Sequence, residues 1–184
     1  MEGHNDGEVW GLDMANGKVI TTGDDNQVKI WDPYSRKCGE GNTAIVNTAQ
    51  RKARKNKAST LGQYPDSQAS RAVAISVNGD VVCAANDGSL TCRKFDDLKT
   101  INKEIHDSQE WIEVMEFSPD GQYLAVGGHD TNIWIYNVAE DYSLVGKCVK
   151  HNAALTCIDW SMDGSYIRSV CNAYELLFLS LIHI

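Results

Sequence analysis

A short pattern that occurs four times constrains the fold of this 184-residue chain more than any other feature. Each copy contains an Asn-Gly or Asp-Gly dipeptide, and successive glycines are 62, 42 and 43 residues apart. The copies are Asn16-Gly17, Asn78-Gly79, Asp120-Gly121 and Asp163-Gly164. Such dipeptides favour tight hairpin turns because these residues accept positive φ angles. A period just above 40 residues with several short strands per unit is typical of a β-propeller blade.

Each copy continues with two further positions of fixed spacing. A residue with a short acid or amide side chain follows the glycine by eight or nine positions, and a large residue follows six positions later. The four pairs are Asp25 and Trp31, Asp87 and Arg93, Asp130 and Tyr136, and Asn172 and Phe178. Asp and Asn are common in turns because their side chains accept hydrogen bonds from nearby backbone N–H groups.

Alternating apolar runs predict three or four strands in each unit. The predicted strands cover 9–13, 19–22 and 28–32; 71–75, 81–84, 90–93 and 101–105; 114–117, 123–126, 133–136 and 144–149; and 156–160, 166–170 and 175–178. The units are expected at about 4–37, 68–105, 106–150 and 151–178. The predicted fold is therefore all-β, a partial propeller of about four blades, whose end blades each have an uncovered face.

The stretch 38–67 is predicted to be a surface insertion, and it carries a basic block. The block consists of Arg51, Lys52, Arg54, Lys55 and Lys57. It stands out in a chain of net charge −8, whose acidity disfavours a general nucleic-acid binder. No run of apolar residues is long enough to span a membrane. Two interpretations of the block remain open: a contact with an acidic partner, or a solvated loop that binds nothing.

The composition offers no expected catalytic, metal or cofactor site. None of the six cysteines forms a Cys-x-x-Cys pair, so we expect reduced, buried thiols in a cytosolic protein, without zinc. No nucleophile motif or phosphate-binding loop is visible, and Asp24-Asp25 is interpreted as a turn. The segment 179–184 departs from the repeat pattern as an apolar tail with a risk of aggregation.

Three of the units resemble WD repeats, in which a loop His, a turn Asp and a strand Trp join a buried hydrogen-bond network. WD-repeat propellers close with about seven blades, so the rest of the ring is expected outside this chain. The resemblance assigns structural roles to His4, Asp25 and Trp31 in the first unit, to His106, Asp130 and Tyr136 in the third, and to His151, Asn172 and Phe178 in the fourth. The second unit has Asp87 but neither the His nor the Trp.

An ordered series of segments is similar to the late blades of the echinoderm microtubule-associated protein-like family. The segments are GEVWGLD at 7–13, SRAVAI at 70–75, YLAVGGHD at 123–130 and AYELLF at 173–178, together with 146–161. This resemblance implies a non-enzymatic interaction scaffold that binds tubulin or microtubules, located in the cytoplasm on the cytoskeleton, or in a cilium or flagellum. The family's upstream hydrophobic signature segment does not occur in this sequence.

Within that family, tubulin's acidic surface would be the partner of the basic block, and other proteins would bind through the loop faces. Trp111 lies in such a loop, and two interpretations remain open for it: packing, or a second candidate contact, because aromatic residues are frequent at binding hot spots. The alternative is a general WD-repeat adaptor that recruits a peptide partner unrelated to microtubules. A third hypothesis, a propeller enzyme with acids that meet in the channel, has no supporting motif.

Overall fold

The computed structural model describes residues 3–4, 7–46 and 69–181. These residues form four antiparallel sheets in chain order, which we call blades 1 to 4. Blade 1 contains β1 (Val9–Ala15), β2 (Lys18–Gly23), β3 (Gln27–Asp32) and β4 (Lys37–Ile45). Blade 2 contains β5 (Ser70–Ile75), β6 (Asp80–Ala85), β7 (Leu90–Lys94) and β8 (Lys103–Ile105).

The second half of the chain repeats this arrangement. Blade 3 contains β9 (Ile112–Phe117), β10 (Tyr123–Gly128), β11 (Ile133–Asn137) and β12 (Ser143–Cys148). Blade 4 has three strands within the described residues, β13 (Leu155–Trp160), β14 (Tyr166–Cys171) and β15 (Leu176–Ser180). Each strand pairs with the next in a meander, as expected for a partial β-propeller. The all-β prediction of about four blades is confirmed.

The turn between the first two strands of each blade explains the repeated dipeptide. In blade 1 both Asn16 and Gly17 have positive φ, 52° and 69°, which suits a tight two-residue hairpin turn. In the other blades the glycine has φ of 70–82° at the matching place. In each blade one residue of the second strand pairs with the residue at the place of Trp31. This second-strand residue comes two positions after the glycine in blades 1 and 2 and three positions after it in blades 3 and 4.

The apolar core consists of three layers, one between each pair of neighbouring blades. Blades 1 and 2 share a layer that includes Ile20 and Val81, and blades 3 and 4 share one that includes Ile135 and Ile167. The middle layer, between blades 2 and 3, is the largest. Strand β6 is buried along its whole length because successive side chains enter different layers. Strand β14 instead alternates between buried and more exposed residues, since one face of blade 4 has no neighbour among the described residues.

Two boundaries differ from the sequence expectation. Residues 37–45, most of which lie in the predicted insertion, form β4, which completes blade 1 by pairing with β3. Leu179 and Ser180, assigned to an atypical tail, continue β15, and Leu181 packs with Leu179 against the core between blades 3 and 4. Residues 182–184 lie outside the described part of the chain. Strand β4 is weakly marked in the sequence, because its pairing with β3 defines it better than its own composition does.

The six cysteines are free thiols, and burial raises the pKa of Cys83 and of Cys92 to about 12. Neither thiol is therefore an ionised nucleophile near neutral pH. Within the described residues, no helix is long and apolar enough to cross a membrane.

Candidate functional site

The loop histidine of blade 1 joins a buried chain of hydrogen bonds. His4 Nδ1 lies 2.8 Å from Asp25 Oδ1, and His4 Nε2 lies 2.8 Å from the hydroxyl of Thr21. The indole of Trp31 donates to the same hydroxyl at 2.8 Å. The His4 and Asp25 side chains are each only 4% exposed, and Asp25 also accepts from the backbone N–H of Gln27. No spacing in the sequence marks Thr21, although its hydroxyl in the second strand can bridge an imidazole and an indole.

Blade 2 replaces this network with a buried cation. Asp87 accepts from the backbone and the hydroxyl of Ser89 and so closes its own turn. Arg93, at the position of Trp31, donates to the carbonyls of Leu98, Ile45 and Val46. Burial lowers the pKa of Arg93, which nonetheless stays charged and ties β7 to the end of β4 in blade 1. The sequence showed the missing His and Trp but not this link between blades.

Blade 3 uses a different set of partners from the one the sequence indicated. Asp130 accepts from the indole of Trp134 at 2.7 Å, and Tyr136 donates to Asp107 at 3.1 Å. His106 is half-exposed and lies 3.6 Å from the glutamate two residues before it. The acid that accepts the hydrogen bond from Tyr136 is thus Asp107, the residue after the predicted His106. Adjacent residues project in different directions, so spacing alone does not identify the partner.

In blade 4 the two predicted network residues are displaced by one position. Strand pairing aligns Ile167 with Leu179, as it aligns Val19 with Trp31 in blade 1. Leu179, not Phe178, therefore corresponds to Trp31, and Ala173, not Asn172, corresponds to the turn aspartate. Phe178 is 68% exposed. As in blade 3, the turn position of this blade comes nine residues after the glycine, but Ala173 there offers no acid or amide, and the count fell on Asn172 instead. A displacement of one residue in a strand reverses the face of the side chain.

His151, the loop histidine of blade 4, has different neighbours from His4 in blade 1. His151 Nε2 lies 2.8 Å from the hydroxyl of Ser169, which takes the place of Thr21. His151 Nδ1 faces Glu175 Oε2 at 3.7 Å, and the Cys171 thiol donates to that same oxygen at 3.4 Å. Asn152, the residue after the histidine, donates two hydrogen bonds to the Glu175 carboxylate. A nitrogen, a sulfur and an oxygen ligand are thus gathered in one corner of the blade.

A row of neighbouring side chains connects blades 1, 2 and 3. It consists of Trp10, Arg71, Trp111 and His129. The guanidinium of Arg71 lies 4.2 Å from the ring centre of Trp10 and 4.6 Å from that of Trp111. Trp111 in turn contacts the ring of His129 at 5.0 Å between centroids. Trp10 donates its indole N–H to Asp24 at 2.9 Å. Trp111, the predicted partner contact, is therefore partly used in packing, and the buried Arg71 lies between it and the partly exposed Trp10.

Three acidic side chains lie on the first strands of blades 1, 3 and 4: Asp13 on β1, Glu116 on β9 and Asp159 on β13. Burial, together with the nearby charges of Asp159 and Asp13, raises the pKa of Glu116 to about 7. Asp13 is also held by the backbone N–H of Ile75 at 2.7 Å, so it forms part of the contact between blades 1 and 2. These acids are spread over separate strands. The Cys157 thiol lies beside one of them, 4.0 Å from Asp159 Oδ2, and burial raises its pKa above the ordinary value, so it is not an activated thiolate.

The predicted basic block, Arg51, Lys52, Arg54, Lys55 and Lys57, lies outside the described residues. Its role as a partner contact stays a prediction. Its sequence remains the densest cluster of positive charge in the chain.

The meander sheets and the His4–Asp25–Trp31 arrangement define a WD-repeat β-propeller. A family model of the echinoderm microtubule-associated protein second β-propeller matches residues 9–183. The chain therefore belongs to this family, as the sequence resemblance indicated.

Curated relatives cover nearly the whole chain. The ciliary WD repeat-containing protein ctxp80 of Euplotoides octocarinatus is 44% identical over 98% of this chain and 25% of its own length. Echinoderm microtubule-associated protein-like 3 of Mus musculus is 32% identical over 97% of the chain and 18% of its own length. The 77 kDa echinoderm microtubule-associated protein of Lytechinus variegatus is 32% identical over 93% of the chain and 23% of its own length. The chain thus spans about a quarter or less of these relatives.

Proposed function

We propose that the chain is a non-enzymatic interaction scaffold within a microtubule-associated protein of the cytoskeleton or cilium. The observation that carries this proposal is the 44% identity to a ciliary WD-repeat protein over 98% of the chain. Relatives named for microtubule association match the same region. Each blade is fixed by a shared apolar layer, so loops are presented to a partner with little loss of conformational freedom on binding.

The basic block is the proposed contact with tubulin. Five positive charges within seven residues would be attracted to an acidic protein surface, and the attraction would weaken as salt screens it beyond about 10 Å. Co-sedimentation with stabilised microtubules over a salt series tests this. The chain is expected to pellet at low salt and to be released as salt rises.

The decisive variant changes all five basic residues of the block to glutamine. A matched control neutralises five exposed basic residues elsewhere: Arg36, Lys37, Lys99, Lys150 and Arg168. Both variants lower the formal net charge of −8 by five. We expect the first variant to stay in the supernatant and the second to pellet. An equal loss of pelleting in both variants would mean that the effect depends on net charge and not on the block. If the unmodified chain does not pellet at low salt, the result contradicts microtubule binding.

A peptide adaptor is the second candidate, and the row formed by Trp10, Arg71 and Trp111 favours it. Aromatic and arginine side chains are the residues most often responsible for binding energy at interfaces. If the unmodified chain fails to pellet with microtubules, this surface becomes the proposed contact. Binding of selected peptides should then be lost in Trp111→Ala and kept in Tyr34→Ala, which alters an exposed aromatic of blade 1.

A further inference from the structure

A corner of blade 4 brings three metal-binding side chains together. The ligand atoms of His151, Cys171 and Glu175 all lie within 4.8 Å of one another. Glu175 Oε2 is central, 3.4 Å from the Cys171 sulfur and 3.7 Å from His151 Nδ1. The histidine precedes β13, whereas the other two residues flank the turn between β14 and β15. The cluster therefore links two separate segments of the chain.

The orientation of His151 points to a missing partner at Nδ1. The side chain is 1% exposed, and Nδ1 has no hydrogen-bond partner among the described residues. Nε2 is held at 2.8 Å by Ser169 Oγ. When Nε2–H donates to that hydroxyl, Nδ1 keeps its lone pair, and this lone pair faces the negative carboxylate of Glu175. A cation between the two would turn a repulsive contact into two bonds.

Glu175 is prepared to act as an anionic ligand. Asn152 donates to it twice, from its side-chain amide to Oε1 at 2.5 Å and from its backbone N–H to Oε2 at 3.0 Å. The carboxylate is thus held in one orientation, in which its remaining oxygen lone pairs face the histidine and the thiol.

The turn that carries Cys171 and Glu175 is closed by backbone hydrogen bonds. The N–H of Cys171 donates to the carbonyl of Glu175 at 3.3 Å, and the N–H of Tyr174 donates to the carbonyl of Cys171 at 3.0 Å. The N–H of Asn172 donates to the carbonyl of Ala154, which fastens the turn to the segment that follows His151. The three ligands are therefore positioned by the fold before any ion binds, which favours binding.

We propose that His151, Cys171 and Glu175, with one water molecule, bind a Zn²⁺ ion. Zinc prefers imidazole, thiolate and carboxylate ligands at about 2.0–2.3 Å in a tetrahedron, in which neighbouring ligand atoms are about 3.3–3.8 Å apart. The sulfur–oxygen and nitrogen–oxygen distances of 3.4 and 3.7 Å already match that spacing. Calcium and magnesium prefer oxygen ligands alone. On binding, the Cys171 thiol loses its proton to solvent and its sulfur bonds to the ion.

The ligand set is absent from the corresponding places of the other blades. In blade 1, Gly23 occupies the position of Cys171 and Gln27 that of Glu175. A side chain at Gly23 would meet the carbonyl of Glu8 at 2.5 Å, so that blade has no room for a cysteine. Alanine or glycine also stands at this place in blades 2 and 3. The cluster is thus a feature of blade 4 and is not part of the repeat itself.

Zn²⁺ titration of the full chain, after treatment with a chelator, tests the proposal. Calorimetry should show one ion per chain, and Co²⁺ as a substitute should give the near-ultraviolet charge-transfer band of a thiolate ligand. Glu175→Gln and Cys171→Ser should weaken binding more than about 100-fold, and Ser169→Ala by about 10–100-fold, because it only orients the histidine. Cys157→Ser, which changes an exposed cysteine outside the cluster, is the control and should bind normally.

The results separate the proposal from a purely hydrogen-bonded cluster. Absence of binding to the unmodified chain, or equal affinity in Glu175→Gln, would overturn it. Binding that is lost in Cys157→Ser but kept in Cys171→Ser would assign the ion to another place and would also overturn it. Because Cys171 is buried, circular dichroism should accompany each variant. If Cys171→Ser unfolds, the partly exposed Glu175 decides the question.

Discussion

Blades 1 and 4 begin with the same kind of loop histidine and hold it in different ways. In blade 1 the carboxylate of Asp25 approaches His4 to 2.8 Å, and both side chains are buried. In blade 4 the carboxylate comes from two positions later in the turn, and Glu175 remains 3.7 Å from His151 with its side chain 31% exposed. The repeat therefore fixes where the strands run, whereas the polar partner of the histidine is replaceable.

The two blades also differ in which face is covered. Ile20 and Ile30 are paired across β2 and β3, and both are buried against blade 2. The corresponding pair in blade 4 is Arg168 and Phe178, both exposed. Blade 1 thus turns this face toward a neighbour, and blade 4 leaves it uncovered among the described residues. The same backbone position is apolar core in one blade and surface in the other.

The largest expected difference between the two blades comes from this face. Ile20→Ala should lower the free energy of unfolding by about 2–5 kcal/mol, because it leaves a cavity between blades 1 and 2. The matched change Arg168→Ala should cause no measurable shift, since Arg168 is exposed and pairs with Asp159 at the surface. Chemical denaturation of the two variants measures the difference. Similar losses in both would mean that the outer face of blade 4 is covered.

An intermediate effect is expected from the carboxylates. Asp25→Ala should cost about 1–3 kcal/mol, because it leaves buried donors of His4 and of the turn without an acceptor. Glu175→Ala should shift the melting midpoint less, because water can reach that side chain. Thermal unfolding in the presence of a chelator keeps any bound metal from obscuring the comparison. An unchanged midpoint for Asp25→Ala would contradict a structural role for the blade 1 network.

The smallest difference tests the one-residue displacement in blade 4. Leu179→Ala should destabilise the chain by about 1–2 kcal/mol, because Leu179 packs partly against the core between blades 3 and 4. Phe178→Ala should change stability by less than about 0.5 kcal/mol, as is usual for an exposed side chain. Both are measured by urea unfolding. A larger loss for Phe178→Ala would support the original spacing from the sequence.

The strands were largely predictable from the sequence, because their signals are local. Short apolar runs separated by Asn-Gly and Asp-Gly turns gave all of the described strands except β4 within a few residues of their bounds. Strand β4 was missed because its segment, which includes Gly39 and Asn42, has little apolar periodicity. Its strand character comes from pairing with β3, which a local pattern does not contain.

The polar networks were only partly predictable, because they depend on register. Counting six residues from a turn acid found Trp31 and Tyr136. Blades 3 and 4 share the extra residue after the turn glycine, but in blade 4 the matching turn position is Ala173, so the count began one residue early, at Asn172, and ended on Phe178. The partners that complete the networks, Thr21 and Asp107, carried no fixed spacing to mark them. In the same way, Cys171 and Glu175 have no zinc-motif spacing with His151 and become neighbours only when two segments fold together.

The sequence by itself determined that this chain forms four similar antiparallel units, because turn chemistry and alternation act over a few residues. Only the tertiary structure decided which residue of each unit faces a neighbouring blade and which acid reaches each histidine. A shift of one residue in a strand reverses the direction of its side chains, so these choices depend on pairing across strands and blades.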